Sequence, residues 1–213
     1  MSQNPPWGRT RVKFCGLTRE QDVDMAVALG ADAVGFVMWP QSPRHLDVER
    51  LAVLAARVPA FVTRVGLFVD QAPELIEQCL PHLDLLQFHG EETAQTCQTF
   101  SIPWIKALRM REGLDLHAAA ADYVGARALL LDAYRPGVPG GTGDTFDWSR
   151  IPANLAKPVI LAGGLTPDNV AKAVASVAPL AVDVSGGIEI SRGVKDHDEM
   201  ARFILQVAAA DRH

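Results

Sequence analysis

A lysine and a cysteine alternate with apolar residues in the run VKFCGLT at positions 12–18. Side chains of an extended chain point to opposite faces in turn. Lys13 and Cys15 therefore share one face of a strand, and Val12 and Phe14 share the other. Other short apolar runs end in the same way. LLLDA puts Leu130 and Asp132 on one face, AVDVSGG does so for Asp183 and Ser185, and LQFHG for Gln87 and His89. PWIKA carries Lys106, and PQSPRH carries Arg44. A thiol is a base once ionised, and a carboxylic acid is a proton donor when burial favours its neutral form. Brought to one place, this thiol, these carboxylates, the histidine and the cations form a set that core packing alone does not call for. Arg44 and the lysines are cations for an anionic ligand.

These residues need a frame that gathers strand ends. Strand candidates fall at 11–15, 33–38, 62–69, 84–88, 103–107, 127–132, 158–162 and 180–184. Amphipathic segments at 18–29, 47–57, 72–80, 91–99, 112–120, 166–176 and 196–210 separate them, with room for a short helix at 147–155. Thr18 with Gln21 reads as a capping box, Thr166 before Pro167 as an N-cap, and Asp70 or Gln71 as the cap of the third helix. Eight strand–helix units predict an α/β fold, a (β/α)8 TIM barrel. A doubly wound open sheet is the structural alternative. It would show continuously apolar strands, whereas several strands here carry polar residues on one face. In a barrel that face is the interior. Cys15, Asp132, Asp183, Lys13, Lys106, His89 and Arg44 are then expected at the C-terminal mouth, where active sites of this fold lie.

Two glycine pairs follow the last two strands, in LAGGLTPDN and VSGGIEIS. Glycine lets a backbone approach closely, and free amides attract an anion. Gly163, Gly164, Ser185, Gly186 and Gly187 are the expected phosphate site. Gly140, Gly141, Thr142 and Gly143, in the glycine-rich stretch GVPGGTGDTFDW, are the expected lid.

Bulk properties narrow the class. The chain has 213 residues, 48% hydrophobic, and a formal net charge of -5, so a large core fits and a nucleic-acid binder is disfavoured. Three scattered cysteines suit reduced thiols and a cytoplasmic protein. No apolar run is long enough for a membrane helix, and the start lacks the apolar core of a signal peptide. Residues 1–10 are expected to be a flexible leader, and residues 11–213 the barrel. The expected assembly is a monomer or a homodimer, and the expected partner a small phosphorylated substrate.

Each residue also has a structural reading. Cys15 is a small hydrophobe, Asp132 a loop cap, Lys13 and Asp183 an ion pair on adjacent strands, His89 a hydrogen-bonded strand end, and Arg44 a solvated charge. Cys79 and Cys97 read as core. Taken in order, however, KFCGLT, GFVMWPQSPRHL, VGLFVD, LLQFHGEE, LLLDA with GGTGDTFDW, LAGGLTPDNV and VDVSGGIE with GVKD resemble phosphoribosylanthranilate isomerase. The resemblance spans residues 11–204. It implies an Amadori rearrangement in tryptophan biosynthesis, from N-(5-phosphoribosyl)anthranilate to 1-(2-carboxyphenylamino)-1-deoxyribulose 5-phosphate, without cofactor or metal. It also implies that Cys15 is the base, Asp132 the acid and Arg44 a substrate-binding residue; Lys13, on the same inner face, is the expected helper that ionises the thiol. One departure is Gly186, where the family usually has a second serine. A ribulose-phosphate epimerase would need a ring of metal ligands, indole-glycerol-phosphate synthase a catalytic lysine, and the histidine-pathway isomerase an aspartate in place of Cys15. A non-catalytic barrel that only binds a sugar phosphate would have no use for thiol, acid and guanidinium together.

Overall fold

The computed structural model describes residues 8–133 and 145–212. Eight parallel strands close into a barrel in sequence order, β1 (Arg11–Cys15), β2 (Ala33–Val37), β3 (Thr63–Phe68), β4 (Leu85–Phe88), β5 (Trp104–Arg109), β6 (Leu129–Asp132), β7 (Val159–Leu161) and β8 (Ala181–Val184). Pairing of Lys13 with Asp183 across β1 and β8 completes the ring. The helices are α1 (Glu20–Ala28), α2 (Val48–Ala55), α3 (Pro73–Cys79), α4 (Ala94–Cys97), α5 (Leu116–Asp122), α6 (Val170–Val177) and α7 (His197–Ala210). Between β6 and β7 the described residues hold one 3-10 turn, Trp148–Arg150, shorter than the helix expected at 147–155. A hairpin of β9 (Glu189–Ser191) and β10 (Val194–Lys195) follows β8. No described helix is long and apolar enough to cross a membrane.

Strand alternation sorts the core into two layers. Phe14, Val34, Phe36, Phe68, Phe88, Leu161, Val182 and Val184 face the helices, where they meet Leu51, Leu54, Val170, Met200 and Phe203. Ile105, Ala107, Ala128, Leu130, Ile160, Ala162 and Ala181 fill the barrel floor. Apolar side chains plug the lower barrel, so the polar inner positions gather above them at the mouth.

Several local expectations are corrected. Arg19, not Thr18, precedes α1, and the Thr18 hydroxyl instead donates to the Gly193 carbonyl at 2.6 Å. Asn169, not Thr166, is the residue before α6, and its Oδ1 accepts from the Thr166 amide at 2.9 Å. Ala72 precedes α3, while Gln71 accepts from the Val69 amide and Asp70 from the Glu91 amide. In all three cases the polar side chain braces the loop at the mouth rather than the helix end. Thr10, expected in the leader, is buried, and its amide and hydroxyl both donate to Asp211 at the far end of the chain.

Candidate active site

A cavity of about 910 Å³ opens at the C-terminal mouth. Its walls include Cys15, Arg44, Gln87, His89, Arg109, Asp132, Asp183, the glycine loops after β7 and β8, and Glu189. The sequence-predicted residues Cys15, Asp132, Asp183, His89, Arg44, Gly163, Gly164, Ser185, Gly186 and Gly187 therefore meet in one place. Gly140, Gly141, Thr142 and Gly143 lie outside the described residues.

Cys15 sits over a buried ion pair. Lys13 Nζ donates to Asp183 Oδ1 at 2.9 Å, with both side chains under a tenth exposed. Gly35 on β2 makes room for both inner residues of β1. A Cβ there would lie 2.7 Å from Cys15 Sγ and 3.1 Å from Lys13 Nζ. Burial opposes the charge on Lys13, but Asp183 and Cys15 outweigh it and hold the ammonium above its ordinary pKa. Burial also pushes the Cys15 thiol up, Asp183 adds to that, and Lys13 and Lys195 pull against it. Lys13 is thus beside the thiol as expected, but burial wins over its help.

Asp132 occupies the end of β6. His89 Nε2 lies 3.2 Å from Asp132 Oδ2, though not aligned for a hydrogen bond. Gln87 Nε2 faces His89 Nδ1 at 3.3 Å. An amide N–H can only donate, so in this arrangement Nδ1 accepts and the neutral imidazole carries its proton on Nε2, toward Asp132. Gly163 (φ +81°) fits closely against the acid. A Cβ on it would lie 2.2 Å from the Ala133 amide nitrogen and 2.8 Å from Asp132 Oδ1. The two glycine loops also touch. A Cβ on Gly187 would lie 1.9 Å from the Leu165 carbonyl oxygen. The residues Gly186–Ile188 form a 3-10 turn directly after Ser185.

Arg44 reaches the mouth from the loop after β2. Its Nε and Nη2 donate to the two oxygens of Glu189 at 2.7 and 2.6 Å. Glu189 also accepts from Lys195 Nζ at 2.8 Å. Burial favours its neutral form, but Arg44 and Lys195 outweigh that and hold the carboxyl below its ordinary range.

Lys106 is a correction. It lies on the helix-facing side of β5, where Nζ donates to Glu92 Oε2 and the Gly90 carbonyl, each at 2.7 Å, and sits 5.4 Å from the Tyr123 ring centre. The inner cation of β5 is Arg109, two residues beyond the inner Ala107. The strand candidate stopped at 107, and two more residues of alternation would have found it. Glu189 and Lys195 left no such signal, because the hairpin that carries them has no strand period long enough to read.

Fold and site together define a (β/α)8-barrel enzyme built for proton transfer on a small anionic substrate. The family model of N-(5'-phosphoribosyl)anthranilate (PRA) isomerase matches residues 12–206. An N-(5'-phosphoribosyl)anthranilate isomerase of Chromohalobacter salexigens is 67% identical over 95% of this chain and 96% of its own. The crystal structure of phosphoribosyl anthranilate isomerase from Thermotoga maritima superposes with a TM-score of 0.87 at 39% identity, over 94% of this chain and 99% of that one. A phosphoribosyl anthranilate isomerase in complex with reduced 1-(o-carboxyphenylamino)-1-deoxyribulose 5-phosphate gives 0.83 at 37% identity, over 94% and 99%. The chain belongs to the N-(5'-phosphoribosyl)anthranilate isomerase family. It is an aldose–ketose isomerase that converts N-(5-phosphoribosyl)anthranilate to 1-(2-carboxyphenylamino)-1-deoxyribulose 5-phosphate in tryptophan biosynthesis.

Proposed function

We propose that Cys15 is the general base and Asp132 the general acid of this rearrangement. The observation that carries the assignment is their shared cavity. Both end inner faces of strands on different sides of one barrel mouth, so a sugar lying between them has one proton-transfer group on each side. Asp132, as the carboxylic acid, protonates the furanose oxygen while the anilino nitrogen pushes its electron pair in. The ring opens to a Schiff base. Cys15, as the thiolate, takes the proton from C2′, and the resulting enolamine tautomerises to the ketone. Lys13, held by Asp183, supplies the positive charge that favours the thiolate. His89, whose Nε2 lies 3.2 Å from Asp132 Oδ2, is close enough to steady the carboxylate left after transfer once a small rotation aligns the two.

The substrate carries two anions. Its phosphate is assigned to the backbone amides of Gly163, Gly164, Ser185, Gly186 and Gly187, where closely packed glycine loops leave backbone rather than side chains facing the ligand. Gly186 keeps its amide, so this cradle works without the serine hydroxyl. Its carboxylate is assigned to the guanidinium edge of Arg44 that Glu189 leaves free. The acidic chain with free Cys15, Cys79 and Cys97 supports a cytoplasmic enzyme acting on a small molecule.

The test follows loss of anthranilate fluorescence from fresh N-(5-phosphoribosyl)anthranilate, with chelator present. Cys15→Ala and Asp132→Asn each lower kcat by about 10²–10⁴-fold, the usual worth of a general acid or base. Both still bind the reduced product analogue. A fully active alanine variant at position 15 removes Cys15 as the base.

A further inference from the structure

The hairpin β9–β10 lies in the connection between β8 and α7, and it inserts two buried charges beside the site. Glu189 and Lys195 have side chains 5% and 0% exposed. Lys195 Nζ donates to Glu189 Oε1 at 2.8 Å and to the Ser185 carbonyl at 3.0 Å, and lies 3.3 Å from the Ser185 hydroxyl. Glu189 in turn holds Arg44 through two parallel bonds. Gly16 (φ +71°) clears the path of the arginine, since a Cβ there would lie 2.4 Å from Arg44 Cδ. The hairpin is itself tied down. Gly193 at its turn accepts from Thr18, and the Lys195 amide donates to Asp22 at 3.3 Å.

Burying this many charges is a poor way to gain stability, because desolvation offsets most of the attraction and apolar residues of similar size do as well or better. What the arrangement does achieve is direction. An unheld arginine samples many rotamers, whereas a guanidinium clamped on one edge presents the opposite edge at a fixed angle. Arg44 lines the cavity, and its Nη1 is left free by Glu189.

We infer that Glu189 is a positioning residue for substrate recognition: braced by Lys195, it fixes the guanidinium of Arg44 in the orientation that receives the substrate carboxylate. The inference rests on the assignment of Arg44 to that carboxylate. It makes Glu189 act only through Arg44, without touching the substrate. A carboxylate accepts from all three donors at once, namely Arg44 Nε, Arg44 Nη2 and Lys195 Nζ. A glutamine of the same shape keeps one accepting oxygen and turns an NH₂ group against a donor, which releases Arg44.

The experiment is a double-mutant cycle on KM and kcat with Glu189→Gln, Arg44→Met and the pair, using N-(5-phosphoribosyl)anthranilate. Thermal unfolding and circular dichroism check that each variant is folded. Glu189→Gln raises KM on the order of tenfold or more, the worth of a charge-assisted hydrogen bond, and changes kcat much less. In the Arg44→Met background the same substitution changes KM by less than about twofold, because coupled residues are not additive. Binding of the reduced product analogue, measured by calorimetry, weakens in parallel with KM. If Arg44→Met leaves KM unchanged, the carboxylate assignment fails, and the inference falls with it. If Arg44→Met raises KM but Glu189→Gln does not, or raises it equally in both backgrounds, Arg44 keeps its role and the positioning role of Glu189 is overturned. A loss in Glu189→Gln confined to melting temperature also overturns it.

Discussion

Replacing Gly35 by alanine tests the site more sharply than deleting any catalytic group. Gly35 lies on the inner face of β2, paired with Cys15 across the strands. The new methyl group meets Cys15 Sγ at 2.7 Å, so sulfur must retreat about 0.7 Å to reach the 3.4 Å at which ordinary contact begins. Sulfur and the Lys13 ammonium are ends of side chains and can shift, but the Cys15 Cα at 3.1 Å is backbone and yields less, so the overpacking cost is about 1–3 kcal/mol. Losing a glycine from a strand returns about 0.5–1 kcal/mol, which offsets part of that cost. Catalysis has no such relief. A misplacement of this size costs on the order of 10–100-fold in kcat when the displaced atom is the base. The neighbouring strand supplies the control. Gly66 faces outward on β3, where a Cβ meets Leu83 Cδ1 at 2.4 Å and Phe68 Cε2 at 2.8 Å, both in the closely packed helix layer. Gly66→Ala therefore costs about 1–3 kcal/mol in overpacking, less the same return of about 0.5–1 kcal/mol, and lowers Tm by up to several degrees with kcat per folded molecule retained. Fluorescence-monitored turnover and calorimetric melting read the two effects separately. Wild-type kcat in Gly35→Ala would refute the assignment of Cys15 as the base held in place by that glycine.

Lys13 and Asp183 act on the thiol with opposite signs, since the ammonium pulls its pKa down and the carboxylate pushes it up. Alkylation of Cys15 by iodoacetamide then moves to higher pH in Lys13→Met and to lower pH in Asp183→Asn, and a shift in the same direction in both would count against the pair as the tuning element. Background reaction is low, because burial drives Cys79 up to about 11 and Cys97 up to about 12. At the edge of the hairpin, burial favours a neutral Asp22, but bonds from Arg19, His197 and the Lys195 amide outweigh it and hold its carboxyl below the ordinary range. The unfolded chain takes up the proton first, so this contribution is present above the ordinary carboxylate pKa and lost as pH falls through the folded value. Asp22→Asn accordingly lowers Tm near neutral pH and narrows its gap from wild type in acid, and a gap that stays constant with pH would show that the loss is not electrostatic.

The eight-strand rhythm, the inward face of β1 and the acid ending β6 were all legible in the chain itself. Alternation has a period of two, and a polar residue inside an otherwise apolar strand shows which face is the interior. The glycine pairs were legible for a related reason. Only glycine tolerates the approach of the Leu165 carbonyl to Gly187, or the φ of +81° at Gly163 beside Asp132. Cap residues misled, because Thr18, Asp70 and Gln71 have the chemistry of helix starts but spend it on loop contacts. Lys106 misled because its place on the mouth or on the helix face depends on one residue of register, and Glu92 and Tyr123 complete its site only after folding. Arg109 needed the true end of β5. The Arg44–Glu189–Lys195 chain was beyond reach altogether, since 145 residues separate Arg44 from Glu189 and no local period links them. Local sequence determined the strands, the face each polar residue takes and the glycine loops, because those follow from alternation and backbone sterics. Tertiary structure alone decided which charges meet, because burial and pairing are properties of the closed barrel rather than of any one strand.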